Sequence, residues 1–85
     1  MTGDDAAVAD GGHVTVDAMG LVCPLPIIEL AKAARGREAG TEITVLCTDV
    51  AARVDVPAWA RMTGHEFVGE MKTDGAGIAL TVRLR

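Results

Sequence analysis

Two prolines separated by one residue, Pro24 and Pro26, constrain this chain more than any other feature. Proline has no N–H, and its ring clashes with the preceding turn inside a helix. The first helical turn tolerates it because those N–H groups have no intrahelical partner. The residues that follow carry a helical stripe: Ile27, Leu30, Ala31 and Ala34 recur at i, i+3, i+4 and i+7, while Glu29, Lys32 and Arg35 turn away. The proline pair therefore predicts a helix that starts at about Pro24, places Cys23 at its N-cap and stops at Gly36.

The flanking segments read as strands. His13 to Asp17 alternates, with Val14 and Val16 on one face. Glu42 to Cys47 is rich in β-branched residues, with Ile43, Val45 and Cys47 on one face. Asp55-Val56-Pro57 is a second helix start, with Asp55 as N-cap and Pro57 in the first turn. That helix runs to about Thr63, ends at Gly64, and turns Trp59 and Met62 inward. Ala51 to Val54 reads as an additional short helical turn. Glu66 to Thr73 alternates again, with Phe67, Gly69 and Met71 on one side. Asp74-Gly75-Ala76-Gly77 is a hairpin loop, and Ile78, Leu80, Val82 and Leu84 give the strictest alternation in the chain. The order β-α-β-α-β-β predicts an α/β (α+β) two-layer sandwich, a four-stranded mixed sheet with two helices on one face through right-handed crossovers. Residues 1–12, acidic and glycine-rich, are expected to form a disordered tail, and 13–85 a single domain.

Composition then removes functions. An 85-residue chain buries only about 60% of its unfolded surface, which leaves no room for a second unit or a large cofactor cleft. Serine, asparagine, glutamine and tyrosine are absent, so there is no serine nucleophile. Phe67 and Trp59 are the only aromatic side chains, too few for a base-stacking platform. Net charge is −4, and three of the acids precede His13, so the remainder is nearly neutral and lacks the basic excess of a nucleic-acid binder. No apolar run approaches the ~18 residues of a membrane span, and the acidic N-terminal segment is unlike a secretory leader. These features lead to an expected cytoplasmic location, with reduced thiols and no direct nucleic-acid or membrane partner.

The chemistry concentrates at Cys23. A thiolate is the reactive form, and a helix N-terminus favours it through the macrodipole and free N–H groups. Pro24 and Pro26 each remove a donor, leaving the N–H groups of Leu25 and Ile27 to face the sulfur. A modest downward shift of the thiol pKa is expected from such a donor-poor cap. The competing structural reading is a buried cysteine acting as a small hydrophobe.

The run Asp17-Ala18-Met19-Gly20-Leu21-Val22-Cys23-Pro24-Leu25-Pro26 resembles the opening signature of the TusA/SirA family of small sulfur carriers, and Asp49 through Asp55-Val56-Pro57-Ala58-Trp59 resembles its second-helix signature. The resemblance extends over Val14 to Arg85. It implies the same two-layer fold and a persulfide relay. A cysteine desulfurase or rhodanese-type donor passes sulfane sulfur to Cys23, and the persulfide goes on to a downstream acceptor protein, in tRNA thiolation or another sulfur-transfer pathway. Gly20, Pro24, Pro26, Asp49, Asp55 and Pro57 are the supporting motif positions, and no cofactor is implied. Val22 stands where the tRNA-thiolation type has a basic residue, Val50 where many members have proline, and Ala60 where many have a second cysteine.

Other residues have plainer readings. Cys47 ends the second strand, near the same sheet edge as Cys23; it is a small core hydrophobe or a resolving thiol. His13, His65, Cys23 and Cys47 match no paired-ligand spacing, so no metal site is expected. Asp49 and Asp55 read as helix caps. Arg53, Arg61, Arg83 and Arg85 read as solvated charges or a docking edge for acidic partners. Two alternatives to the carrier stand: a thiol redox protein using Cys23 with Cys47, and a non-catalytic RNA or protein interaction module.

Overall fold

The computed structural model describes residues 12–73 and 75–85, so the expected tail, Gly12 apart, and Asp74 of the hairpin loop lie outside the described residues. The elements are β1 (His13–Ala18), α1 (Leu25–Ala34), β2 (Glu42–Cys47), α2 (Ala52–Thr63), β3 (Glu66–Lys72) and β4 (Ile78–Arg83). They form a mixed sheet in the order β1-β2-β4-β3, in which β1 and β2 are parallel and β4 runs antiparallel to both its neighbours. Helix α1 packs on β1 and β2, and α2 on β3 and β4, with the helices touching each other. This is the β-α-β-α-β-β sandwich that the alternation and the proline positions imply.

The core is the helix-facing side of the sheet. Val14, Ile43, Val82 and Phe67 lie opposite one another in a row across all four strands. Ile43, Val45, Leu80, Val82 and Leu30 are fully buried. On the other face Thr44 and Thr81 pair through their hydroxyls at 2.8 Å, and His13 Nε2 joins Thr44 Oγ1 at 2.8 Å. That face therefore satisfies its polar groups across the strands instead of burying apolar surface.

Three expectations about facing and boundaries are corrected. Helix α2 begins at Ala52, so Asp55 is its fourth residue, and Pro57 lies inside the helix. Asp49 supplies the turn that Asp55 was expected to make: its Oδ1 accepts the Ala51 N–H at 3.0 Å, and its carbonyl accepts the Ala52 N–H at 3.0 Å. The inward stripe of α2 is Ala52, Val56 and Ala60, small residues that let the helix lie close on the sheet, while Met62 is 85% exposed and Trp59 is half-buried. Met71 is also exposed, because β3 carries a bulge between Phe67 and Gly69. One extra residue there reverses the facing of everything after it, so Glu70 and Lys72, rather than Gly69 and Met71, share a face with Phe67.

Leu30, fully buried under both layers, is the side chain whose truncation tests this packing. Leu30→Ala is expected to destabilise the domain by about 2–5 kcal/mol, and Met62→Ala by less than about 0.5 kcal/mol. Urea unfolding followed by Trp59 fluorescence measures both.

Candidate functional site

Parallel pairing of β1 with β2 sets Ala18 beside Cys47, so the loops leaving both strands emerge at one sheet edge. The first of these loops is tied down through the N–H groups of Met19, Gly20, Leu21 and Cys23. Asp17 Oδ1 accepts the Met19 N–H at 3.1 Å, Thr48 Oγ1 accepts the Gly20 N–H at 3.1 Å, and the Ala18 carbonyl accepts the Leu21 N–H at 3.1 Å. Gly20 needs no side chain here because its φ is +80°, in the left-handed region. The Cys23 N–H then donates to Asp49 Oδ2 at 2.7 Å. Asp49 thus holds the start of α2 with one carboxylate oxygen and the Cys23 backbone with the other.

Pro24, not Cys23, is the N-cap of α1, and the Cys23–Pro24 peptide bond is cis. Cys23 sits one position outside the helix and is exposed. The donors expected to face its sulfur are taken by the backbone: Leu25 N–H bonds the Val22 carbonyl at 2.8 Å, while Ile27 and Ile28 N–H share the Pro24 carbonyl at 3.1 Å. Pro26 has no N–H and is buried.

The sulfur instead finds an acceptor. Cys23 Sγ donates to Asp55 Oδ2 at 3.1 Å. The expected downward pKa shift is therefore reversed. The hydrogen bond to Asp55 pushes the thiol above its ordinary value, and partial desolvation and the negative charges of Asp55 and Asp49 act in the same direction. The resting group is a thiol. Around it Pro24, Ile27, Ala58, Trp59 and Met62 line a shallow, mostly apolar groove of about 280 Å³.

The sequence marks Asp55 as a supporting motif position and Trp59 as an inward core residue, without placing either beside the sulfur. The signal was present: Asp55, Ala58, Trp59 and Met62 stand at i, i+3, i+4 and i+7, a second stripe on α2 beside the buried one. Cys47 is fully buried, with its Sγ 3.9 Å from the Ile78 carbonyl, and its thiol is pushed up by burial and by Asp49. His65 stacks on Trp59 with centroids 5.4 Å apart and accepts the Arg85 N–H at 3.0 Å, so it is not brought to Cys23. Of the arginines, Arg53 pairs with Glu70, Arg83 with Glu42 and Glu66, and Arg85 with Glu66. Those three are ion-paired within the fold and remain partly exposed.

A thiol held in this way makes a sign-definite prediction. Because only the thiolate is alkylated, the iodoacetamide rate of Cys47→Ala protein should rise with a midpoint at higher pH than that of a cysteine peptide. A midpoint below the peptide's contradicts the Asp55 contact. Asp49→Ala, which releases two N–H groups at once, is expected to cost about 1–3 kcal/mol in urea unfolding.

Comparison with known proteins gives a consistent outcome. The family described as "Sulfurtransferase TusA" matches residues 14–84. The sulfur carrier protein TusA of Pseudomonas entomophila is 39% identical over 61 residues, 72% of this chain and 76% of that protein. In Bacillus subtilis the matching segment of the longer protein YrkF is 39% identical over 56 residues, 66% of this chain and 30% of that protein. A SirA-like protein of Desulfitobacterium hafniense superposes with a TM-score of 0.71 at 33% identity, covering 82% of this chain and 95% of that one. Motif, fold and matched length agree, and this chain belongs to the TusA/SirA-like family.

Proposed function

We propose that this protein is a sulfur carrier that accepts sulfane sulfur as a persulfide on Cys23 and passes it to an acceptor protein. The observation that carries the reading is the placement of Cys23, an exposed thiol on a loop whose backbone is anchored by Asp49 and Thr48. An anchored, uncovered sulfur suits presentation to one partner after another, and the shallow groove beside it suits a visiting protein loop better than an enclosed small substrate.

In the loading step the Cys23 sulfur attacks the outer sulfur of a donor persulfide. A bond forms between Sγ and that sulfur, the donor's S–S bond breaks, and the electron pair stays on the donor cysteine as a thiolate. The Cys23 proton is lost and the donor thiolate gains one, so the exchange is redox-neutral. Discharge repeats the step with the acceptor thiol as nucleophile and Sγ as leaving group. Burial of Cys47 speaks against the redox alternative, because a core thiol is not available to resolve an oxidised Cys23.

Incubation with a cysteine desulfurase and cysteine should add one sulfur, about 32 Da by intact-mass spectrometry, as expected for a thiol converted to a persulfide. Cys23→Ala should abolish the gain, reductant should reverse it, and Cys47→Ala should keep it. A Cys23–Cys47 disulfide in place of the added sulfur would favour the redox reading.

A further inference from the structure

Four of the carboxylates away from the site are ion-paired: Glu29 with Lys32, Glu70 with Arg53, Glu42 and Glu66 with Arg83. Glu38, in the loop after α1, takes part in no salt bridge among the described residues. At the Cys23 edge, Asp17, Asp49 and Asp55 take part in no salt bridge among the described residues. Asp17 and Asp49 are engaged by backbone N–H groups, whereas Asp55 among the described residues holds the Cys23 thiol alone. The side chains lining the groove with it are mostly apolar, and one of them, Met62, is 85% exposed. An acid without a counter-ion, set in an apolar groove, is complementary to a cation carried on an apolar segment.

We propose that the groove beside Cys23 docks a protein segment presenting an arginine or lysine next to an apolar side chain, and that this cation takes Asp55 away from the Cys23 sulfur. The proposal rests on the carrier reading and deepens it by giving the chemistry of the donor's and acceptor's contact surface. The apolar side chain packs against Trp59 and Met62, and the cation pairs with Asp55. Sγ then loses its acceptor, its proton passes to solvent, and the thiolate forms where a partner is already seated. The charged groups acting on Sγ are Asp55 from α2 and Asp49 from the turn before it, both negative. Neutralising Asp55 therefore lowers the barrier to ionisation. In the free protein the same contact keeps the sulfur protonated and slow toward small electrophiles.

Thiol–disulfide exchange with three small disulfides tests the charge preference directly. The probes are dicationic cystamine, neutral 2-hydroxyethyl disulfide and dianionic dithiodiglycolate. They react with Cys47→Ala protein, and each rate is divided by that of N-acetylcysteine amide. At low salt cystamine should exceed the neutral probe by about fivefold and the dianion should lag, as expected for one unit charge at contact distance. High salt should collapse the spread. Asp55→Asn should compress the spread and speed iodoacetamide alkylation at neutral pH; Asp55→Glu should keep the spread. Normalised wild-type rates within about twofold of each other overturn the proposal.

Single-turnover loading from a persulfidated cysteine desulfurase tests docking. Loading should slow with salt, and Asp55→Asn should slow it and remove the salt dependence. Loading that proceeds but ignores both salt and Asp55→Asn overturns the docking proposal and leaves the carrier reading standing. No loading of wild-type protein, with Cys23 still alkylated, removes the carrier reading and the proposal together. A dimer by sedimentation that shields Cys23 from alkylation names a second copy as the occupant, and likewise overturns it.

Discussion

One carboxylate organises the functional edge of this protein. Asp49 Oδ2 accepts the Cys23 N–H and Oδ1 accepts the Ala51 N–H, so a single side chain couples the segment ahead of α1 to the segment ahead of α2. Charge-assisted hydrogen bonds of this kind are shorter and stronger than neutral ones, and the 2.7 Å contact to Cys23 lies at the short end of that range. The coupling is possible only because β1 and β2 are parallel neighbours, which delivers both loops to the same end of the sheet. With Asp49 making the turn before α2, Asp55 is displaced into the helix body and its side chain is left to meet the sulfur.

That division of labour settles the chemistry of the thiol. A cysteine near a helix start is ordinarily read as an activated nucleophile, favoured by free N–H donors and the macrodipole. Here the donors are spent within the turn, since Val22 and Pro24 carbonyls take them, and the nearest polar side-chain atom is a carboxylate oxygen. A hydrogen-bond acceptor stabilises S–H over S⁻, whereas donors do the reverse. The sulfur is accessible by position and restrained by electrostatics. Leaving-group quality follows the same logic, because a more basic sulfur departs less readily.

The sequence carried the architecture well because its strongest signals are local. Alternation at Ile78, Leu80, Val82 and Leu84, the stripe on α1, and the glycines after each helix all follow from backbone geometry within one element. What it carried poorly depends on contacts between elements or on a single inserted residue. Period-two reading assigns Met71 inward, and the bulge at Phe67–Gly69 turns it out. Asp-x-Pro reads as a helix start at Asp55, and Asp49, six residues earlier, wins because its side chain and carbonyl together satisfy the first N–H groups. An exposed cysteine at the start of α1 was legible from its proline neighbours. Asp55 reads in the sequence as a motif position and a cap; its contact with the sulfur was not legible, because 32 positions separate the two residues and only the packing of α2 against the loop joins them.

The bulge in β3 has a consequence beyond the facing of Met71. β3 forms one border of the sheet, where main-chain groups turned away from β4 have no neighbouring strand among the described residues. A straight border of that kind is a template on which a foreign chain can add itself, edge to edge, and grow into an aggregate. The extra residue at Val68 breaks the regular repeat of the border and increases its local twist. An incoming strand would fall out of step at that point, which is how an irregular margin discourages edge-to-edge growth.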